Sequence, residues 1–277
     1  MNDELAALPP LREVISKFGL RAKKSLGQNF LLDLNLTHRI ARVAGALTDA
    51  DVIEIGPGPG GLTRALLGEG AKRVFAIERD PRCIDALQDL IVASHGRLHL
   101  MEADAMNVDI GEIGEAPRHI VANLPYNIAT PLLLKWLRQA DQIKSLTCMY
   151  QREVADRLVA KPGTKAYGRL SVIVQWLCHV HPDFNVPPQA FTPPPKVTST
   201  IVTLTPRETP LAPAQWKHLE AVTAAAFGQR RKMLRSSLKG LSLDFAALEI
   251  DPTQRAENLS VETFCRIAET CRISADD

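Results

Sequence analysis

DVIEIGPGPGG, residues 51–61, runs an apolar, β-branched stretch straight into Gly56, Gly58, Gly60 and Gly61. It constrains the fold more than any other segment. A strand that empties into glycines and then into a helical pattern, TRALLGEG, is the opening half of a βα unit. The alternation continues through RVFAIER (strand), CIDALQDLIVAS (helix) and RLHLMEAD (strand). It goes on through HIVANLP (strand), PLLLKWLRQ (helix), LTCMYQ (strand) and VADRLVA (helix). Such alternation builds a mostly parallel sheet and an α/β fold. LSVIVQWLCHV and STIVTLTP, separated by the proline-rich FNVPPQAFTPPPKV, are expected to close it as an antiparallel pair.

After Pro206 the pattern changes. ETPLAPAQW reads as a linker, and beyond it Trp216, Leu219, Val222 and Ala226 recur at helical spacing, as does VETFCRIAETC at the end. The expected organisation is an α/β domain over residues 1–206 and a small all-α domain over 207–277. With 277 residues, 45% of them hydrophobic, the chain can supply a core to each.

The formal net charge is only +2, so affinity for a polyanion would have to come from local clusters. Three exist: Arg21, Lys23 and Lys24; Lys161, Lys165 and Arg169; and Arg230, Arg231, Lys232, Arg235 and Lys239. Cys83, Cys148, Cys178, Cys265 and Cys271 show neither CxxC nor zinc-ligand spacing, so they read as reduced packing thiols and no metal is expected. The N-terminus lacks the order of a signal peptide, and no apolar run reaches roughly 18 residues. A cytoplasmic protein is expected.

EIGPGPGG satisfies two patterns. Gly56, Gly58 and Gly61 fit GxGxxG, a dinucleotide fingerprint, whereas Glu54, Gly56, Gly58 and Gly60 fit the acidic-x-Gly-x-Gly-x-Gly pattern of S-adenosylmethionine sites. Either way Glu78, at the end of the second strand, is placed to take a ribose. Glu54 favours a cationic ligand over a pyrophosphate. Asp104 suits an adenine amine, or else caps a helix.

NLPYN, residues 123–127, ends the fourth strand. An exocyclic adenine amine is a poor nucleophile because its lone pair is delocalised. Acceptance of its hydrogens by the Asn123 side chain and the Leu124 carbonyl would favour the pyramidal geometry that can attack a methyl. Pro125 would fix the turn and Tyr126 would offer a stacking face. The same residues could instead form only a strand-ending turn.

The sequence resembles the ribosomal RNA adenine dimethyltransferases that modify two adjacent adenosines near the 3′ end of small-subunit rRNA. KKSLGQNFL, EIGPGPGGLT, IERD, EADAM, NLPYN, KAYGRLSV, FTPPPKVTS and FGQRRKMLRSSL carry the resemblance across nearly the whole chain. It implies a Rossmann-like, S-adenosylmethionine-dependent methyltransferase sheet, mostly parallel with an antiparallel final strand. It implies that Gln28, Asn29 and Leu31 close over the methionine end of the cofactor, and that Gly56 and Gly58 lie under it. Glu78 would take the ribose, Asp104 and Ala105 the adenine end, and Asn123 the edge shared with the substrate.

Phe191, in the proline-rich loop, would stack on the target base opposite Tyr126. Lys161, Lys165, Arg169 and Lys196 would meet phosphates, with Arg230, Arg231, Lys232 and Arg235 docking on the particle. Arg231 and Arg235 are expected on one helical face. The expected partner is small-subunit rRNA in a pre-ribosomal particle, bound by a monomer. Rival readings are the related large-subunit rRNA methyltransferases, a non-catalytic assembly factor, and a nicotinamide oxidoreductase.

Overall fold

A computed structural model describes residues 3–20 and 28–273. The chain opens with two short helices, α1 (Asp3–Ala6) and α2 (Leu11–Lys17), then β1 (Phe30–Leu31) and α3 (Leu34–Val43). The alternating core follows: β2 (Asp51–Ile55), α4 (Gly61–Gly68), β3 (Arg73–Glu78), α5 (Pro81–Ala86), α6 (Gln88–Ala93) and β4 (Leu98–Glu102). It continues with β5 (Arg118–Ala122), α7 (Tyr126–Trp136), β6 (Ile143–Gln151), α8 (Arg152–Val159), α9 (Arg169–Leu177) and β7 (Cys178–Val186). Last come β8 (Phe191–Thr192), β9 (Ser199–Pro206), α10 (Trp216–Gly228), α11 (Leu234–Ser237) and α12 (Val261–Ile273).

Seven strands form one sheet in the order β4-β3-β2-β5-β6-β9-β7. The β2–β3, β3–β4, β2–β5 and β5–β6 pairs are parallel, and β6–β9 is antiparallel. Every residue of β2 and β5 is buried, as expected of central strands covered on both faces. The chain winds from β2 outward to β4, then returns to lay β5 on the other side of β2. At such a reversal the loops leaving the two central strands diverge and open a crevice at their carboxyl ends. Glycines at that end of β2 let the chain turn at once into α4. Gly58 and Gly60 have φ of +55° and +88°, which L side chains rarely adopt.

Two expectations need correction. LSVIVQWL is helix α9, and the strand begins only at Cys178. An unbroken apolar run has no period to separate a buried helix from a buried strand. Here Gly168 starts the helix and the Ser171 hydroxyl accepts from its amide at 3.1 Å. CIDALQDLIVAS likewise forms two short helices meeting at Leu87.

The boundary near 206 is also only part of the domain organisation. One unit comprises the chain up to Arg152 with His181–Thr205; the other comprises Glu153–Val180 and the chain from Pro206 on. The apolar residues of α9 pack against α10 and α12, so this helix belongs with the C-terminal helices. Within that second unit Phe264 is fully buried, and Phe227 tilts against it at 5.4 Å between ring centroids.

In the first unit one core cluster runs from Leu31 and Ile40 through Val52, Leu66 and Val74 to Met149, Phe191 and Ile201. A smaller cluster joins Val14, Leu20 and Phe30 to Cys83 and Ala86. Cys83, Cys148, Cys178 and Cys265 are buried and not joined in disulfides. Among the described residues no helix is long and apolar enough to cross a membrane.

Candidate functional site

A cleft of about 160 Å³ opens at the carboxyl ends of β2, β3, β4 and β5. Its floor is the glycine turn. The Gly56 amide donates to the Ile77 carbonyl at 2.9 Å, stitching the turn to β3. A Cβ on Gly58 would stand 3.0 Å from the Phe30 ring, so glycine is what allows that ring to close on the turn.

Glu78 ends β3 on the cleft wall. Its Oε1 accepts from the Arg79 and Asp80 amides, each at 2.8 Å, and its Oε2 from the Gly58 amide at 3.2 Å. Those three bonds leave about one of a carboxylate's four acceptor positions for a ligand. Burial raises the Glu78 pKa despite the three amides. Glu54, one strand over, is fully enclosed and its Oε2 has no hydrogen-bond partner. Burial, with the Glu78 charge nearby, pushes its carboxyl up to about 8. Of the two acids only Glu78 lines the cleft, where its carboxylate favours added positive charge.

Asp104 and Ala105 line the far wall. Asp104 caps a turn, not the helix its sequence position allowed. Its Oδ1 accepts from the Met106 amide at 3.0 Å, a local turn bond, while its Oδ2 pairs with Arg79 at 3.0 Å on the rim of the cleft. Gln28 and Asn29 stand at the mouth. Gln28 Nε2 donates to Asp80 Oδ2 at 3.2 Å, and Asp80, gripped by Arg82 at 2.6 Å, is held down to about 2.

Asn123 Nδ2 donates to the Asn29 carbonyl at 3.0 Å. A carbonyl can only accept, so the amino end of this side chain is committed to Asn29 and its Oδ1 is turned the other way. Pro125 (φ −55°, ψ 129°) caps α7, and the first helical bond runs from the Ile128 amide to the Pro125 carbonyl at 3.1 Å. The Leu124 carbonyl therefore stays outside the helical ladder, although the Leu124 side chain is buried. The Tyr126 hydroxyl meets Ser199 Oγ at 2.7 Å, which pins the ring at the cleft wall. Burial raises its pKa, so the ring is a neutral phenol.

Two expected site residues lie elsewhere. Leu31 and Phe191 are paired across the β1–β8 ladder, with Phe30 opposite Thr192. Both side chains belong to that core cluster, at 5% and 3% exposure, and neither lines the cleft. A two-residue ladder has one inward and one outward position per strand, and Phe30 and Thr192 occupy the other side. Phe191 is thus a core residue in this state, not an open stacking platform.

The basic residues divide as well. Lys161, Lys165, Lys196, Arg231, Lys232 and Arg235 are exposed. Arg169 pairs with Glu220 at 2.9 Å, and Arg230 donates to backbone carbonyls of its own unit. Arg231 and Arg235 do not share a helix, because α10 ends at Gly228 and α11 starts at Leu234. The first cluster, Arg21, Lys23 and Lys24, lies outside the described residues, as does the start of KKSLGQNFL.

Sequence reasoning missed Phe30, Arg79, Asp80, Asn127, Ile128 and Ser199. Only Asp80 had a legible signal, the acid before Pro81 that caps α5. Phe30, Arg79, Asn127 and Ile128 line the cleft through tertiary packing, and Ser199 reaches it only through its bond to Tyr126.

Residues 19–272 match the profile of the family described as ribosomal RNA adenine dimethylase. The chain is 64% identical over 267 residues to ribosomal RNA small subunit methyltransferase A of Paramagnetospirillum magneticum, covering 95% of each. It is 61% identical over 264 residues to the protein of that name from Rhodospirillum rubrum, covering 94% of this chain and 92% of the relative. Among solved structures it resembles a dimethyladenosine transferase from Plasmodium falciparum, with TM-score 0.76, 26% identity, and coverage of 88% and 97%. It also resembles the 23S rRNA methyltransferase ErmE, with TM-score 0.66, 27% identity, and coverage of 88% and 100%.

Proposed function

Given that the chain belongs to the ribosomal RNA adenine dimethylase family, we propose that its cleft binds S-adenosylmethionine and presents it to adenosines of small-subunit rRNA. The enzyme is an rRNA adenine dimethyltransferase, converting two adjacent adenosines of the 3′-terminal hairpin to N6,N6-dimethyladenosine. Its relation to the ErmE structure leaves large-subunit RNA as the alternative substrate. Identity above 60% to small-subunit enzymes favours the former.

The observation that carries the reading is the Asn29–Asn123 bond. With its amino end held, Asn123 offers an acceptor, and an exocyclic amine is a donor. The Leu124 carbonyl, outside the α7 ladder, offers a second. Two acceptors on one amine orient it and favour a pyramidal nitrogen. The ring of Tyr126, tethered through Ser199, gives the base a face to rest on.

The donor set fits the cofactor. Glu78 keeps an acceptor position for the ribose and favours a cation, and the glycine turn leaves room below. Gln28, Asn29, Asp104 and Ala105 complete the walls. When bound, S-adenosylmethionine supplies the electrophilic methyl. The protein's own contribution is chiefly positioning, since attack on a sulfonium methyl moves the positive charge from sulfur to the amine nitrogen, which then sheds a proton to solvent, and the step calls for no oxyanion site.

Exposed Lys161, Lys165, Lys196, Arg231, Lys232 and Arg235 are assigned to RNA phosphates in a pre-ribosomal particle, and the enzyme acts as a cytoplasmic monomer. The decisive test is transfer of labelled methyl to small-subunit particles lacking the modification, set against naked large-subunit RNA. Dimethyladenosine in the small-subunit RNA is expected. Methylation of the large-subunit RNA alone would overturn the substrate assignment, and cofactor binding without transfer to either would favour the assembly-factor reading.

A further inference from the structure

Arg230 sits in the most basic stretch of the chain, yet its contacts are internal. Its Nη2 donates to the Lys165 carbonyl at 2.9 Å and the Tyr167 carbonyl at 3.1 Å, with Glu257 Oε2 at 3.5 Å. Those carbonyls belong to the 161–168 loop, which has a second anchor: the Gly163 amide, at φ +82°, donates to the Glu257 carbonyl at 2.7 Å. A third hold is the ring of Tyr167, which is fully buried and meets Phe227 edge-on at 6.0 Å. Inside the loop the Thr164 hydroxyl closes on the Lys161 carbonyl at 2.7 Å. The loop is therefore built and fastened, while the Lys161 and Lys165 side chains it carries remain exposed.

We infer that Arg230 is a positioning residue for RNA recognition. Its guanidinium clamps the 161–168 loop so that Lys161 and Lys165 join Arg231 and Lys232, its own chain neighbours, in one phosphate-binding surface.

Two clusters far apart in sequence meet through one side chain, 65 residues from Lys165. One terminal guanidinium nitrogen suits the task, because its two N–H groups can serve the two carbonyls while Glu257 stands close to the charge. Glu257 cancels part of the Arg230 charge at that point. Phosphate-binding groups set register and orientation on a nucleic acid, so a loop that wanders costs more than the removal of one charge would. The inference rests on the reading of Lys161 and Lys165 as phosphate ligands.

The test compares full-length Arg230→Ala, the double variant Lys161→Ala/Lys165→Ala, and the triple combination. Binding to unmodified small-subunit particles is measured across a series of KCl concentrations. Each RNA phosphate that the protein no longer neutralises lowers the slope of log K against log salt by roughly 0.7–0.9. Arg230→Ala is expected to lower it by roughly 1.4–1.8, as the double variant does. The triple variant is expected to bind no more weakly than the double. Amide exchange at Gly163 should quicken in Arg230→Ala while the melting temperature and cofactor affinity hold. Arg230→Gln, closer in size, stands beside it should the alanine loosen the fold.

A slope decrease equivalent to one phosphate, additive with that of the double variant, would make Arg230 a direct phosphate ligand and overturn the inference. Wild-type binding by the double variant would instead sink the reading of the loop as an RNA-binding element.

Discussion

At Asn123 one hydrogen bond decides which end of an amide faces the cleft. Asn123→Asp sets a carboxylate against the Asn29 carbonyl in place of an amino group. The repulsion should misplace the acceptor and reduce single-turnover methyl transfer by on the order of 100-fold, with a smaller change in cofactor affinity. A variant with wild-type turnover would remove Asn123 from the site.

Glu54 yields a prediction of a different kind. Unfolded, it titrates near its ordinary value of 4.5, and folded near 8. The folded state binds this proton more tightly, so the associated stability is complete below about 4.5 and is lost as pH rises toward 8. The loss approaches about 1.4 kcal/mol per pH unit within that window. Glu54→Gln, neutral throughout, should therefore melt with a flatter pH dependence than the wild type. Equal pH dependence in the two proteins would show that Glu54 is charged in the fold.

Between elements, the two-residue β1–β8 ladder has influence out of proportion to its length. It joins the segment that carries Asn29 and Phe30 at the cleft mouth to the start of the proline loop. Because Phe191 is packed in the core, Phe191→Ala should cost about 3–5 kcal/mol in urea unfolding and weaken cofactor binding through β1. Phe191→Leu should restore most of that. Unchanged stability with depressed turnover would instead restore the ring to the role of a base platform and make its burial one of two states.

For the whole molecule, the chain is not two beads on a string. The segment Glu153–Val180 leaves the first unit and returns to it, carrying α9 to the C-terminal helices. A chain stopped at residue 206 would therefore strip α9 of the α10 and α12 faces it packs against, including the Trp216 ring beside Trp176. It should aggregate or expose hydrophobic surface to a dye, whereas removal of the whole second unit with a short bridge from 152 to 181 should leave a folded sheet. A soluble, cooperatively melting 1–206 fragment would contradict this division.

Much of this protein was legible in one dimension. The strand-glycine-helix order specified a parallel sheet because only βα alternation satisfies that spacing. The positions of Glu78, Asp104 and Asn123 at successive strand ends placed them together, because parallel strands point their carboxyl ends the same way. The assignment of α9 and the inward turn of Phe191 depended on what lay across from them, since an apolar run carries no direction. The parting of Arg231 from Arg235 and the commitment of Arg230 to the Lys165 and Tyr167 carbonyls had the same origin. Charge in a sequence is a count, and only folding decides which of those charges meet carbonyls and which meet water.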